Sequence, residues 1–187
     1  MTIFQLLMLG ASAFFAYKIY EHIQTLQDPN ESDASREADN IDHLIDQGDE
    51  EMQKGDFQKA LAIYSEANYK TPNNAEVIFK MGFALVEQAR YDEAIEAFYS
   101  ALKLDDNNPA IYQALASAYR KSGDLEKAKY NLDAALLLND TNPITYYNYG
   151  NLLVDMENTE DAKEMYTKAL ELNPEFAEAK EELEKLS

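Results

Sequence analysis

Apolar side chains in this chain recur at helical spacing, and from about Ile41 to Phe176 the pattern itself repeats. Ile78, Met81 and Leu85 share one face of a stretch that starts at Ala75; Ala94, Ile95, Phe98, Ala101 and Leu102 share a face of the next, from Tyr91 to Leu104. That spacing is the mark of amphipathic helices. Alanine returns at Ala60, Ala94, Ala128 and Ala162, and again at Ala67, Ala101, Ala135 and Ala169. A third track reads Gly48, Gly82, Ala116, Gly150, and between the alanine tracks stands a large residue: Tyr64, Phe98, Leu132, Tyr166. Two helices per unit are predicted, written four times.

The columns have a physical reading. Glycine inside a helix costs about 0.5–1 kcal/mol relative to alanine, so three glycines at one repeat position require a packing reason. Where the two helices of a hairpin cross, a small residue on one admits the bulky residue of the other. Gly55 and Gly123 fall between the helices of units one and three, where a left-handed residue is wanted. Asp56, Asp124 and Asn158 follow as N-caps of second helices. Pro72, Pro109, Pro143 and Pro174 stand between units, at helix ends or first turns. The units are placed at 41–74, 75–108, 109–142 and 143–176. In the fourth, Glu157 and Thr159 replace the usual glycine and aromatic, and a looser turn is expected there.

A stride of 34 with these columns resembles the tetratricopeptide repeat, whose unit is an antiparallel helix pair. The resemblance implies an all-α solenoid of four helix-turn-helix repeats. Residues 177–187 continue as one more helix, with Ala179, Leu183 and Leu186 in line with Phe176 and charge elsewhere. A polar-backed helix of that kind caps the exposed end of a repeat stack.

The N-terminal flank is different. Residues 2–17 carry no charge, and if Lys18 snorkels the apolar run reaches Tyr20, about 19 residues against the ~20 that cross a bilayer. A single transmembrane anchor helix is expected at 1–27. A cleaved signal peptide is the competing reading, because Ala11-Ser12-Ala13 resembles a cleavage site. No basic residue precedes the run, however, and Phe14 and Phe15 extend it past that site. Lys18 leans the repeats toward the cytoplasm. Ser12 and Ala16 form one small-xxx-small pair, a weak pointer to a homo-oligomer. Residues 28–40 are polar and read as an acidic linker, helical in its later half with Ser35 as cap.

Composition narrows function by exclusion. Lys and Arg number 16 against 35 Asp and Glu, a formal net charge of −19. Such a chain has no basic stripe for nucleic acid and no polybasic patch for an anionic bilayer. It has no cysteine, which removes disulfides, thiolate metal sites and cysteine nucleophiles. His22 and His43 have no ligand spacing, and no phosphate loop, zinc motif or nucleophile elbow is present. Neither enzyme activity nor a cofactor or metal is expected. The sequons at Asn30 and Asn139 are assigned no function.

What remains is protein binding. In tetratricopeptide proteins the first helices of successive units line the binding groove, which by resemblance places Ile45, Asp49, Phe79, Phe83, Gln113, Ser117, Tyr147 and Asn151 there, with Asn148 beside them. Phe79 and Phe83 share a helix face; the two rings either fold against neighbouring helices or form an apolar anchor for a partner. Asp42, Asp46 and Asp49 add negative charge at the first-unit end. The expected partner is a protein segment that carries an apolar residue and positive charge, held by a membrane-anchored scaffold. Chaperone adaptors of the family instead grip an acidic C-terminus with basic residues and asparagine. The matching positions here hold Ile45, Asp49, Ala110 and Ala114, so that clamp is missing. Assembly of a membrane complex is a further reading.

Overall fold

Four helical hairpins and a closing helix make up the described chain, a computed structural model that describes residues 29–186, with side chains from Asn40 onward. The first helices of the hairpins are α1 (Pro29–Lys54), α3 (Ala75–Glu87), α5 (Pro109–Ser122) and α7 (Pro143–Asp155). The second helices are α2 (Phe57–Lys70), α4 (Tyr91–Leu102), α6 (Leu125–Leu138) and α8 (Thr159–Leu172), and α9 (Ala177–Lys185) closes the series. No strand occurs among the described residues. By compactness the chain divides at residues 43 and 44, and the described part of the first unit is the N-terminal part of α1.

Within the second unit the hairpins close as the columns require. A Cβ built on Gly48, Gly82 or Gly150 would come within 3.0 Å of ring carbons of Tyr64, Phe98 or Tyr166 respectively. Those three rings are at most 1% exposed. In the third hairpin the ring is replaced by Leu132, and there the first helix carries Ala116. One methyl fits where a ring is missing. Ala60, Ala67, Ala94, Ala101, Ala128, Ala135, Ala162 and Ala169 are all fully buried, so both alanine tracks mark the second helices' packed faces.

Helix ends are set by side chains. Asn74, Asn108 and Asn142 each accept a backbone N–H from the first turn of α3, α5 and α7, and the last two stand directly before Pro109 and Pro143 at N1. Asp56, Asp124 and Asn158 cap α2, α6 and α8 as expected. Leu183 of α9 and Leu186 at its C-cap pack against the core cluster, while Glu178, Glu181 and Glu184 are exposed. This is the capping helix the sequence predicted.

Two expectations need correction. The fourth turn is not looser than the others. Glu157 takes φ 60°, beside 79° for Gly55, 57° for Ala89 and 91° for Gly123. Asn158 N–H reaches the Leu153 carbonyl at 2.8 Å, as Asp56 reaches Glu51, Arg90 reaches Leu85 and Asp124 reaches Tyr119, each at 2.9 Å. The hydrogen-bonded turn is imposed by the hairpin, and the side chain in the left-handed position tolerates it at a cost. The Glu157→Gly variant is therefore expected to gain about 0.5–1 kcal/mol, read as a raised denaturant midpoint at unchanged slope.

The second correction concerns the segment 28–40, expected as a linker with a cap at Ser35. The helix instead begins at Pro29. Proline at a first turn forfeits no hydrogen bond, and Glu31, Ala34, Arg36, Glu37 and Ala38 are good helix formers. Extending a formed helix is easier than nucleating a new one. Among the described residues no helix is long and apolar enough to cross a membrane. The predicted anchor at 1–27 lies outside the described residues.

Candidate functional site

Residues 34 apart occupy equivalent places, so one position on the first helices can be followed through the array. Asp49, Phe83, Ser117 and Asn151 form such a column, and Asp49, Phe83 and Asn151 each meet the large residue of their own hairpin. The pairs match chemically. Tyr64 donates its hydroxyl to Asp49 Oδ1 at 2.5 Å, and Tyr166 donates to Asn151 Oδ1 at 2.7 Å. Phe98, which has no hydroxyl, meets the Phe83 ring edge-on with centroids 5.4 Å apart. Leu132 has Ser117 in the same place. Burial, and next the bond to Asp49, pushes the Tyr64 phenol up; burial and then the charge of Glu182 push Tyr166 up to about 12. Both stay protonated donors at ordinary pH.

Phe83 therefore packs within its own hairpin, one of the two readings the sequence left open. It still keeps 37% of its surface exposed. Phe79 stands edge-on to it at 4.8 Å and tilts against Phe98 at 5.7 Å. Three rings thus form a cluster whose inner member is buried and whose outer pair reaches the surface.

The remaining predicted positions divide. Ile45 is 7% exposed and belongs to the core, so it cannot meet a partner. Gln113 donates to Thr145 Oγ1 at 2.6 Å, tying α5 to α7. Tyr147 lies between the rings of Tyr166 and Phe176, at 6.0 and 5.1 Å. Ser117, Asn148 and Asn151 are half-buried, and Asp42 and Asp46 are exposed. Of the positions weighed for a clamp, Ala110 is exposed and Ala114 is buried.

Lys80 went unnoticed in the sequence. Its ammonium contacts both oxygens of Asp49, at 2.8 and 2.7 Å, from the neighbouring first helix. The signal was available: a separation of 31 in a 34-residue repeat puts two residues on adjacent first helices about one turn apart. Around this pair lies a cleft of about 290 Å³ lined by Asp49, Met52, Gln53, Tyr64, Lys80 and Phe83. Two residues past Asp49 on α1, Glu51 is buried and held by Lys54 and Lys59 at 2.9 and 3.0 Å. Its carboxyl is pulled below the usual range by the bond from Lys54, then by that from Lys59.

Sequence profiles of the tetratricopeptide repeat match residues 51–117, 85–143 and 144–176. The chain belongs to the tetratricopeptide repeat family. It is similar to RNA polymerase II-associated protein 3 of Mus musculus, 28% identical over 148 residues that cover 79% of this chain and 22% of that protein. It thus spans about a fifth of that relative's length. Among solved structures it is similar to MamA, at 28% identity and TM-score 0.63 over 74% of this chain and 81% of that one. It is also similar to the first TPR of Spaghetti (RPAP3) bound to the HSP90 peptide SRMEEVD, at 31% identity and TM-score 0.57 over 60% and 89%. The class so defined is a protein–protein interaction scaffold, and no enzyme family is indicated.

Proposed function

We propose that this chain is a membrane-tethered adaptor that holds an extended or helical segment of a protein partner on its first-helix face. The observation that carries this reading is the outer ring pair Phe79 and Phe83. Phe83 is exposed and lines the cleft that holds the Asp49–Lys80 pair, and Phe79, half-buried, stands edge-on to Phe83. The rings offer an apolar seat, Asn148 and Asn151 offer amides, and Asp46 and Asp49 favour a cationic segment. Truncating an interface aromatic costs about 2 kcal/mol or more, roughly thirtyfold in affinity. The Phe79→Ala/Phe83→Ala double variant should lose its partners in capture from extract, while Tyr130→Ala/Leu137→Ala on the second helices should keep them. Both variants must first match the parent in helicity and melting. Equal capture by all three proteins would place binding elsewhere.

The tether rests on the uncharged run at residues 2–17. The full-length protein should stay in the membrane fraction after high salt and carbonate washing, and a chain starting near Ser35 should be soluble. Release of the full-length protein by salt alone would remove the anchor from the account. By the weak lean of Lys18 the repeats face the cytoplasm, and protease protection of sealed vesicles tests this.

A second reading, a grip on the acidic tail of a heat-shock protein, is favoured by the likeness to the RPAP3 repeat bound to an HSP90 peptide. The residues here argue against it. Ile45 is buried, Asp49 is itself acidic, and Ala110 and Ala114 stand where the third unit would need basic residues. A peptide ending in Glu-Glu-Val-Asp, titrated into the protein, discriminates the two: the adaptor reading expects no saturable binding.

A further inference from the structure

We propose that the cleft between α1 and α3 is a socket for one arginine side chain of the bound segment, with Lys80 as the internal cation that the arginine displaces. The proposal rests on the adaptor reading above and adds the identity of one recognised residue. At about 290 Å³ the cleft lies at the lower edge of ligand pockets, about 300 Å³, so it takes a single side chain. Its floor already binds a cation. Asp49 is fixed by the buried Tyr64 hydroxyl on one side and keeps 38% of its side chain exposed on the other, where Lys80 sits. Lys80 is the only cation among the lining residues.

The internal pair is replaceable. Lys80 has a second carboxylate, Glu76, one turn back on its own helix at 3.9 Å. It can turn to Glu76 without losing a counter-charge, and partly exposed pairs of this kind are weakly held, at about 0–1 kcal/mol. A guanidinium entering in its place would have better geometry. Its planar fork matches both oxygens of Asp49, which an ammonium meets only as a point charge. Phe83 forms one wall and provides a ring for cation–π contact. Met52 lines the path of the aliphatic stem, and Gln53 supplies a further acceptor. Asp46, exposed about one turn before Asp49 on α1, adds attraction for a positive side chain.

Asp49→Asn is a clean variant, because asparagine fills the equivalent place in the fourth hairpin and accepts from Tyr166 there. The hairpin should keep its bond from Tyr64 while the socket loses its charge. The probes are the blocked peptide acetyl-Gly-Leu-Arg-Leu-Gly-amide and its lysine and citrulline counterparts, titrated by calorimetry into the full-length protein in detergent micelles. The arginine peptide should bind, and citrulline should weaken it about tenfold or more. Lysine should fall between them. Asp49→Asn should erase the preference for arginine, and Lys80→Met should tighten the arginine peptide several-fold by removing the competitor. Equal binding of the arginine and citrulline peptides, or weaker binding by Lys80→Met, would overturn the socket. No binding of the arginine peptide would overturn it too. If binding ignores arginine but is lost in the Phe79→Ala/Phe83→Ala variant, only the socket fails. If it ignores both, the adaptor face fails with it.

Discussion

Replacing Phe98 by alanine is expected to cost about 3–5 kcal/mol of stability, the range for deleting a fully buried aromatic ring. Phe98 is 0% exposed and lies over Gly82. It also supports the outer rings, in contact with Phe79 at 5.7 Å and Phe83 at 5.4 Å. The backbone at Gly82 cannot supply atoms to refill the space, so the cavity persists and its cost adds to the lost burial. Because repeat arrays are stabilised by neighbouring units, a failure in the second hairpin also weakens the first and third. Denaturant unfolding followed by circular dichroism would measure the loss, and a change under 1 kcal/mol would mean that the ring is not packed as described. The same variant should weaken partner capture, through the rings it leaves unsupported.

Adding matter at the same crossing is the complementary experiment. Gly82→Ala is expected to destabilise by about 1–3 kcal/mol, although alanine is by propensity the better helix former. The new methyl would fall within 3.0 Å of the Phe98 ring, and a fully buried ring in contact with Phe79 and Phe83 has little room to yield. Without that clash, propensity alone predicts a gain of about 0.5–1 kcal/mol, so the two accounts differ in sign. The third hairpin tests the rule in reverse. Leu132→Phe should destabilise against Ala116, and Ala116→Gly should recover part of the loss in the double variant, a coupling that independent sites would not give.

These crossings were legible in the sequence because small and large residues alternate at a fixed stride, and packing leaves them no other use. Unit boundaries were legible for a similar reason: Pro109 and Pro143 can begin a helix and cannot continue one. The turn at Glu157 was misjudged because local preference was read where the hairpin decides, and a left-handed residue is required whatever its side chain. The start of α1 at Pro29 was missed because a polar composition was taken for a tether up to a cap at Ser35, whereas an adjoining helix can carry such residues along. Within the candidate site, the family resemblance named Phe79, Phe83, Asp49 and Asn151 but not their partners. A column shows what repeats; the pairing of Asp49 with Tyr64 and of Phe83 with Phe98 lies between columns. Ile45 was misplaced because the groove pattern was carried over by position, and at that position the chain buries an isoleucine. Lys80 was overlooked because its contact crosses from one unit to the next.

The central claim is that the partner lies on the first helices. Hydrogen exchange of the protein alone and with its captured partner tests this most directly. The account predicts added protection in α3, in the 45–53 part of α1 and in α7, with little change in α4, α6 and α8. Protection gathered on those second helices, with α3 unchanged, would contradict it.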